Sequence, residues 1–236
     1  MEKVILALRS TRGDEPQEQW CARVRGPLAQ ELLDLDLPGL TINVKDDAVR
    51  ESLMTLTTLD PPVSGFVSLW TQQSYGDQVT AAIALLEKEC DDVFAYLVTE
   101  SVPLAPPRTE PGERTTGMAN VALLRRPDTL TEETWRRRWQ LDHTSVAIDT
   151  QATFGYIQNA VVRPLTPQAP TLAAIVEELF PAEAVSDISA FFGAADDADL
   201  TTRIGKMVAS TAAFGANENV DTVPTSRYVL RSPFAS

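Results

Sequence analysis

Two short stretches, Val4–Arg9 (VILALR) and Asn120–Arg125 (NVALLR), are near copies of one apolar strand phrase and open the two halves of the chain. Each is followed by the same order of patterns. In the first half, Asp14–Leu35 reads as a helix whose apolar positions Trp20, Val24, Leu28 and Leu32 recur every four residues, with a kink or a break expected at Pro27. Leu37-Pro38-Gly39 is turn chemistry. Leu40, Ile42 and Val44 alternate with polar residues as a strand does. Gly65–Trp70 is a further strand, Gly76–Cys90 a helix, and Val93–Val98 a fourth strand.

The second half repeats this order. Thr129–Glu132 fits a capping box, so a helix is expected from about Leu130. Phe154–Val162 and Ala173–Phe180 read as strands, Ala184–Phe192 as the second helix, and Arg227–Arg231 as the last strand. Asp196–Phe214 is read as a short helix plus a loop that the first half lacks. Between the halves, Pro103–Gly117 has the Pro, Gly, Thr and charge content of a linker.

The order β-α-β-β-α-β is the split-βαβ, ferredoxin-like plan. One such unit carries helices on one sheet face and leaves the other face apolar and in need of cover. Two units in one chain can cover each other by closing their sheets into a barrel with the helices outside. The expected fold is therefore α+β, with tandem ferredoxin-like repeats at 1–105 and 118–236 joined by a linker at 106–117.

Composition narrows the function. The formal net charge of −13 disfavours nucleic acid and anionic membrane surfaces as partners. The basic run Arg136-Arg137-Arg138 sits beside Glu132 and Glu133 and reads as a solvated helix face. No apolar run reaches the roughly 18 residues of a spanning helix, and the start of the chain reads as a strand, so a cytoplasmic protein is expected. Cys21 and Cys90 lack metal-type spacing and read as reduced thiols, with a disulfide between them left open. The acidic run Asp196–Asp199 lacks the spacing of a calcium loop. There is no nucleotide-binding glycine loop and no nucleophile elbow.

The chain holds a single histidine, His143. On a helix it shares one stripe with Trp135 and Trp139. Such a stripe packs a core and then offers one group that titrates near neutral pH. Aligning the halves sets Leu28 opposite His143 and Ser68 opposite Glu177. Packing at that helix position thus does not require a histidine, and one pocket per chain is expected, in the second half.

The strand NVALLRRP, the W-x3-W-x3-H pattern at Trp135, Trp139 and His143, the phrase FGYIQN and Glu177-Glu178-Leu179-Phe180 resemble the EthD-like branch of the dimeric α/β-barrel superfamily. The resemblance runs from Met118 to about Phe192. It implies a small-molecule substrate, His143 as the acid–base group and Glu177 as its carboxylate partner. Trp139, Tyr156, Gln158 and Asn159 are the candidate substrate-binding residues; alternation sets Asn159 on the strand face opposite Tyr156 and Gln158. Relatives in the wider superfamily bind haem through one histidine, but the other haem signatures are not evident, so no cofactor and no metal are expected. The implied activity is cofactor-independent acid–base chemistry (cyclisation, dehydration or decarboxylation) on an apolar oxygenated, polyketide-like or aromatic molecule. The alternatives are cofactor-free monooxygenation and a non-catalytic binding or accessory role. The fused barrel leaves outer surfaces free for a homodimer.

Overall fold

The computed structural model describes residues 1–10 and 15–234. The first repeat runs β1 (Glu2–Arg9), α1 (Gln17–Arg25), α2 (Pro27–Leu33), β2 (Gly39–Val44), β3 (Gly65–Thr71), α3 (Asp77–Glu89) and β4 (Asp92–Leu104). The second runs β5 (Met118–Leu124), α4 (Glu132–Arg137), a π-helical segment (Arg138–His143), α5 (Thr144–Thr150), β6 (Gly155–Pro164), β7 (Ala174–Phe180), α6 (Ile188–Phe192), α7 (Asp197–Phe214) and β8 (Asp221–Arg231). Among the described residues no helix is long and apolar enough to cross a membrane.

The strands close into one barrel in the order β1-β3-β2-β8-β5-β7-β6-β4. Each repeat contributes four neighbouring strands, and every pairing is antiparallel. Two seams join the repeats: β2 with β8, where Asn43 faces Arg227, and β4 with β6, where Glu100 faces Asn159. No sheet edge is left open, which removes the usual template for edge-to-edge association.

Alternation along each strand sends side chains to two places. Inward residues such as Ile5, Phe66, Phe94, Tyr96, Leu123 and Ile175 fill one part of the barrel. The other part is polar and charged. Lys3 pairs with Glu100 at 3.0 Å, and Arg227 with Glu177 at 3.0 Å. Asn43 of the first repeat donates to Glu177 of the second at 2.8 Å. Burial pushes the Lys3 ammonium down, while Glu100 and Glu177 hold it up. Outward residues of the first repeat meet α1–α3 in a filled core of Val4, Leu6, Leu40, Leu69, Trp20, Val24, Leu28, Leu32 and Leu86, with Cys21 and Cys90 also buried there.

Several elements differ from the sequence expectation. The first helix is broken at Gly26–Pro27, as the proline requires, and the expected start at Asp14 lies outside the described residues. Thr131, not Thr129, caps the helix of the second repeat, accepting from the Thr134 N–H at 3.2 Å. The second long helix is not 184–192 but α7, of 18 residues. Asp187 and Gly193, the latter with φ of 59°, confine α6 to five residues. Asp196 caps α7 by accepting from Asp199 N–H, so the acidic run is a helix start. The linker-like stretch is tied along β8 through Gly112 N–H to Val229 O and Thr115 N–H to Arg227 O, both 2.8 Å.

Removing Glu177 would leave the Arg227 guanidinium buried without its partner. Glu177→Ala is expected to lower unfolding free energy by about 3–5 kcal/mol in urea titration. A loss below about 1 kcal/mol would show that the interior pair contributes little to stability.

Candidate functional site

Register identifies where the two repeats part company. In the first repeat Leu69 of β3 lies between Val4 of β1 and Leu40 of β2, facing the helices. At the equivalent place in the second repeat Glu178 of β7 lies between Asn120 of β5 and Tyr156 of β6. An apolar row has become a polar one. Above it the core is not filled. A cavity of about 330 Å³ is lined by Asn120, Glu178, Tyr156, Trp139, His143 and Gln151, with apolar walls that include Phe191, Phe192, Met207 and Phe214. Of the 18 residues of α7 that roof it, only Phe214 is buried.

The helix over the row is shaped by its π segment. Trp139 and His143 both lie in that segment and both are buried. The Thr144 hydroxyl reaches back to the carbonyls of Trp139 (3.3 Å) and Gln140 (2.9 Å), groups that the widened turn leaves exposed. Gln158 donates to that hydroxyl at 2.7 Å and accepts from Ser101 at 3.2 Å, tying the segment to the sheet. Trp135 packs behind Trp139 with ring centroids 5.0 Å apart and planes tilted by 38°, and the Phe214 ring lies 4.9 Å from the His143 ring.

His143 Nδ1 is hydrogen-bonded to Ser210 Oγ at 2.9 Å, which leaves Nε2 for a ligand. Burial lowers the imidazole pKa to about 4, so the ring is neutral near pH 7. Burial raises the Glu178 carboxyl to about 8, and its Oε1 has no partner among the described residues. Glu178 is half-buried because it borders the cavity. Asn120 Oδ1 and Gln151 Oε1 are likewise buried without partners among the described residues, while Trp139 Nε1 has the Tyr156 hydroxyl as its hydrogen-bonding neighbour. Unpaired buried polar atoms are costly, and here they cluster around one hollow. Burial, with the Glu178 charge adding to it, raises the Tyr156 phenol far above its ordinary value. Among the described residues no group of histidine, cysteine and carboxylate side chains could hold a metal ion.

The first repeat supplies one wall of the cavity. The segment 45–64 between β2 and β3 crosses over, placing Leu53, Met54 and Leu56 on the cavity. Leu53 N–H bonds to Val185 O at 3.0 Å, and Leu56 bridges Thr222 in both directions. Asp221 anchors this strap, accepting from Thr58 and Leu59 and pairing with Arg125 at 2.7 Å. Burial alone would raise the Asp221 carboxyl, but these donors outweigh it and hold the pKa low.

Of the residues expected at the site, His143, Trp139 and Tyr156 come together. Gln158 faces the helices but supports the π segment instead of lining the cavity. Asn159 points into the barrel, where its Nδ2 donates to Ile175 O at 3.0 Å. The expectation that Glu177 lies beside His143 is corrected: it faces the barrel interior, and its neighbour Glu178 faces the cavity. A shift of one residue on a strand reverses the face. Asn120, Glu178, Gln151 and Ser210 were not anticipated. One signal was present, because Asn120 replaces Val4 in the otherwise apolar repeated phrase.

No protein-family model and no curated protein matches the sequence. Among solved structures the chain is similar to an anthrone oxidase-like protein, at 9% identity and TM-score 0.53, covering 100% of this chain and 96% of that one. It is also similar to a candidate monooxygenase from Lactobacillus acidophilus NCFM, at 8% identity and TM-score 0.50, covering 98% and 95%. At such identities the likeness is one of architecture. The chain has the dimeric α/β-barrel fold, closed within a single polypeptide from two ferredoxin-like repeats.

Proposed function

We propose that the chain is a cofactor-independent oxygenase that uses O₂ to oxidise a flat, fused-ring phenolic substrate of the anthrone type in the His143 cavity. The observation that carries this reading is the hollow in which a neutral histidine, bonded through Nδ1 to Ser210, faces the partnerless polar atoms of Asn120, Gln151 and Glu178. Its volume of about 330 Å³ is at the small end of ligand pockets. Its aromatic walls suit a planar molecule. The fold similarity to an anthrone oxidase-like protein supports the substrate class, and the Trp135–Trp139–His143 stripe supports reading the second repeat as EthD-like.

In this scheme His143 Nε2 removes a proton from the activated ring carbon. The nascent anion raises the proton affinity of the imidazole beside it, which offsets the low resting pKa. Trp139 N–H and protonated Glu178 donate to the developing oxyanion. The carbanion adds O₂, and the peroxide takes the proton back from His143. Loss of water then leaves a carbonyl: the CH₂ group and O₂ become C=O and H₂O. Without O₂ the same base and donors would serve a cyclase or lyase, so oxygen uptake separates the two readings.

With anthrone as probe, wild-type protein is expected to consume O₂ and form anthraquinone, and His143→Ala to lower kcat/KM by about 10²–10⁴. Glu178→Gln keeps a neutral donor and should retain most of the rate, whereas Glu178→Ala should not. Conversion without O₂ uptake would favour the acid–base lyase reading. Equal ligand binding by wild type and His143→Ala with no turnover would leave a non-catalytic binding protein.

The charge states have a consequence for stability. The His143 pKa is about 4 folded against an ordinary 6.5, so the unfolded chain binds more protons between those values. That contribution to stability is complete above pH 6.5 and lost as pH falls toward 4. Glu178 runs the other way, at about 8 against an ordinary 4.5; its contribution is complete below pH 4.5 and lost as pH rises through 8. Above pH 6.5 only Glu178 of the two still acts. Unfolding free energy in urea is therefore expected to fall by about 2 kcal/mol between pH 6.5 and 8, and Glu178→Gln to abolish that slope. An unchanged slope in Glu178→Gln would mean that the carboxyl is already ionised in the folded protein.

A further inference from the structure

The His143 cavity has an outer counterpart. On the surface of the second repeat a groove of about 640 Å³ runs between α5 and α7, bordered by Asp142, Asp149, Asp199, Lys206 and Ser210. Cavity and groove share no lining residue. Helix α7 separates them, turning Met207, Thr211 and Phe214 toward the cavity and Lys206, Ser210 and Ala213 toward the groove. The hydrogen bond between His143 Nδ1 and Ser210 Oγ, at 2.9 Å, joins a residue of one wall to a residue of the other. The other hydrogen bonds between these helices, Arg138 to Ala213 O and Arg203 to Asp149 O, involve no cavity-lining residue.

We propose that Ser210 is the positioning and proton-relay residue of His143. Its hydroxyl holds the ring in the Nδ1–H tautomer, with the Nε2 lone pair toward the cavity, and connects the ring to water in the groove. The proposal rests on the reading of His143 as the base of the cavity. When Nε2 gains a proton from the substrate, the Nδ1 proton passes to Ser210 Oγ as the serine hydroxyl proton passes to groove water. The ring stays neutral, the substrate anion remains inside, and one proton has left. The reverse movement restores Nδ1–H when product oxygen takes the proton from Nε2. The cavity thus exchanges protons with solvent while the strap 45–64 stays in place.

The single histidine makes the test direct, because ring-¹⁵N-labelled protein gives the signals of His143 alone. Without substrate, the wild type should show a protonated Nδ1 and an unprotonated Nε2. Ser210→Ala, on the half-buried outer face of a helix, should show a mixture of tautomers, and Ser210→Thr should restore the wild-type pattern. A wild-type ring protonated at Nε2, or a spectrum unchanged in Ser210→Ala, overturns the assignment. A second measurement follows deuterium entry from D₂O into anthrone under anaerobic conditions. Ser210→Ala should slow it about tenfold or more at unchanged anthrone Kd. An unchanged exchange rate in Ser210→Ala overturns the relay. Absence of exchange in the wild type would count against His143 as the base for this substrate, while the tautomer spectra would still decide the role of Ser210 in positioning the ring.

Discussion

A four-stranded antiparallel sheet with helices on one side has a second apolar face that water must not reach, and everything else in this molecule depends on how that face is covered. Here the two repeats turn those faces toward each other and join along β2–β8 and β4–β6. Closure satisfies the backbone of every strand and fixes which side chains point in and which point out. The interior is only partly apolar. Asn43 donates to Glu177 across the two repeats, and Lys3 pairs with Glu100 between neighbouring strands of the first.

With the barrel closed, the two repeats differ in what covers its outer side. Both repeats set helices over the same three-strand row. In the first, Val4, Leu69 and Leu40 meet Trp20, Val24 and Leu28, and the space is filled. In the second, Asn120, Glu178 and Tyr156 lie beneath a helix widened by a π turn, and the space is hollow. Beside that hollow Trp135 packs at a tilt against Trp139, and Gln158 ties the π segment to the sheet through Thr144.

Much of the fold was legible in the sequence. The repeated phrase gave the order of strands, and the four-residue spacing of Trp20, Val24, Leu28 and Leu32 gave a helix with its break at Pro27. What was not legible followed from local chemistry with more than one solution. Asp187 and Gly193 cut one helix short, and Asp196 started an 18-residue helix where a short helix plus a loop was expected. The site was half legible. Helix spacing sets Trp139 and His143 on one stripe, and the resemblance to EthD-like proteins pointed to them and to Tyr156. Two adjacent glutamates on one strand cannot be sorted by type alone, and only the register of β5 with β7 shows that Glu178 and not Glu177 shares a face with Asn120. The strap could not be read at all, because its contacts lie far away in sequence.

The strap has a wider meaning. In a pair of identical subunits every substitution is made twice, and any loop that improves one pocket must be accommodated at the symmetry-related place. A single chain is free of that rule. Here β2 and β3 are separated by a long crossing segment, whereas β6 and β7 are joined by the short stretch 165–173. The first repeat, whose own helices meet a filled core, thus supplies a wall of the second repeat's cavity. Within one chain the two repeats need not be alike, and that asymmetry gives the molecule one hollow where a symmetric pair would have two or none.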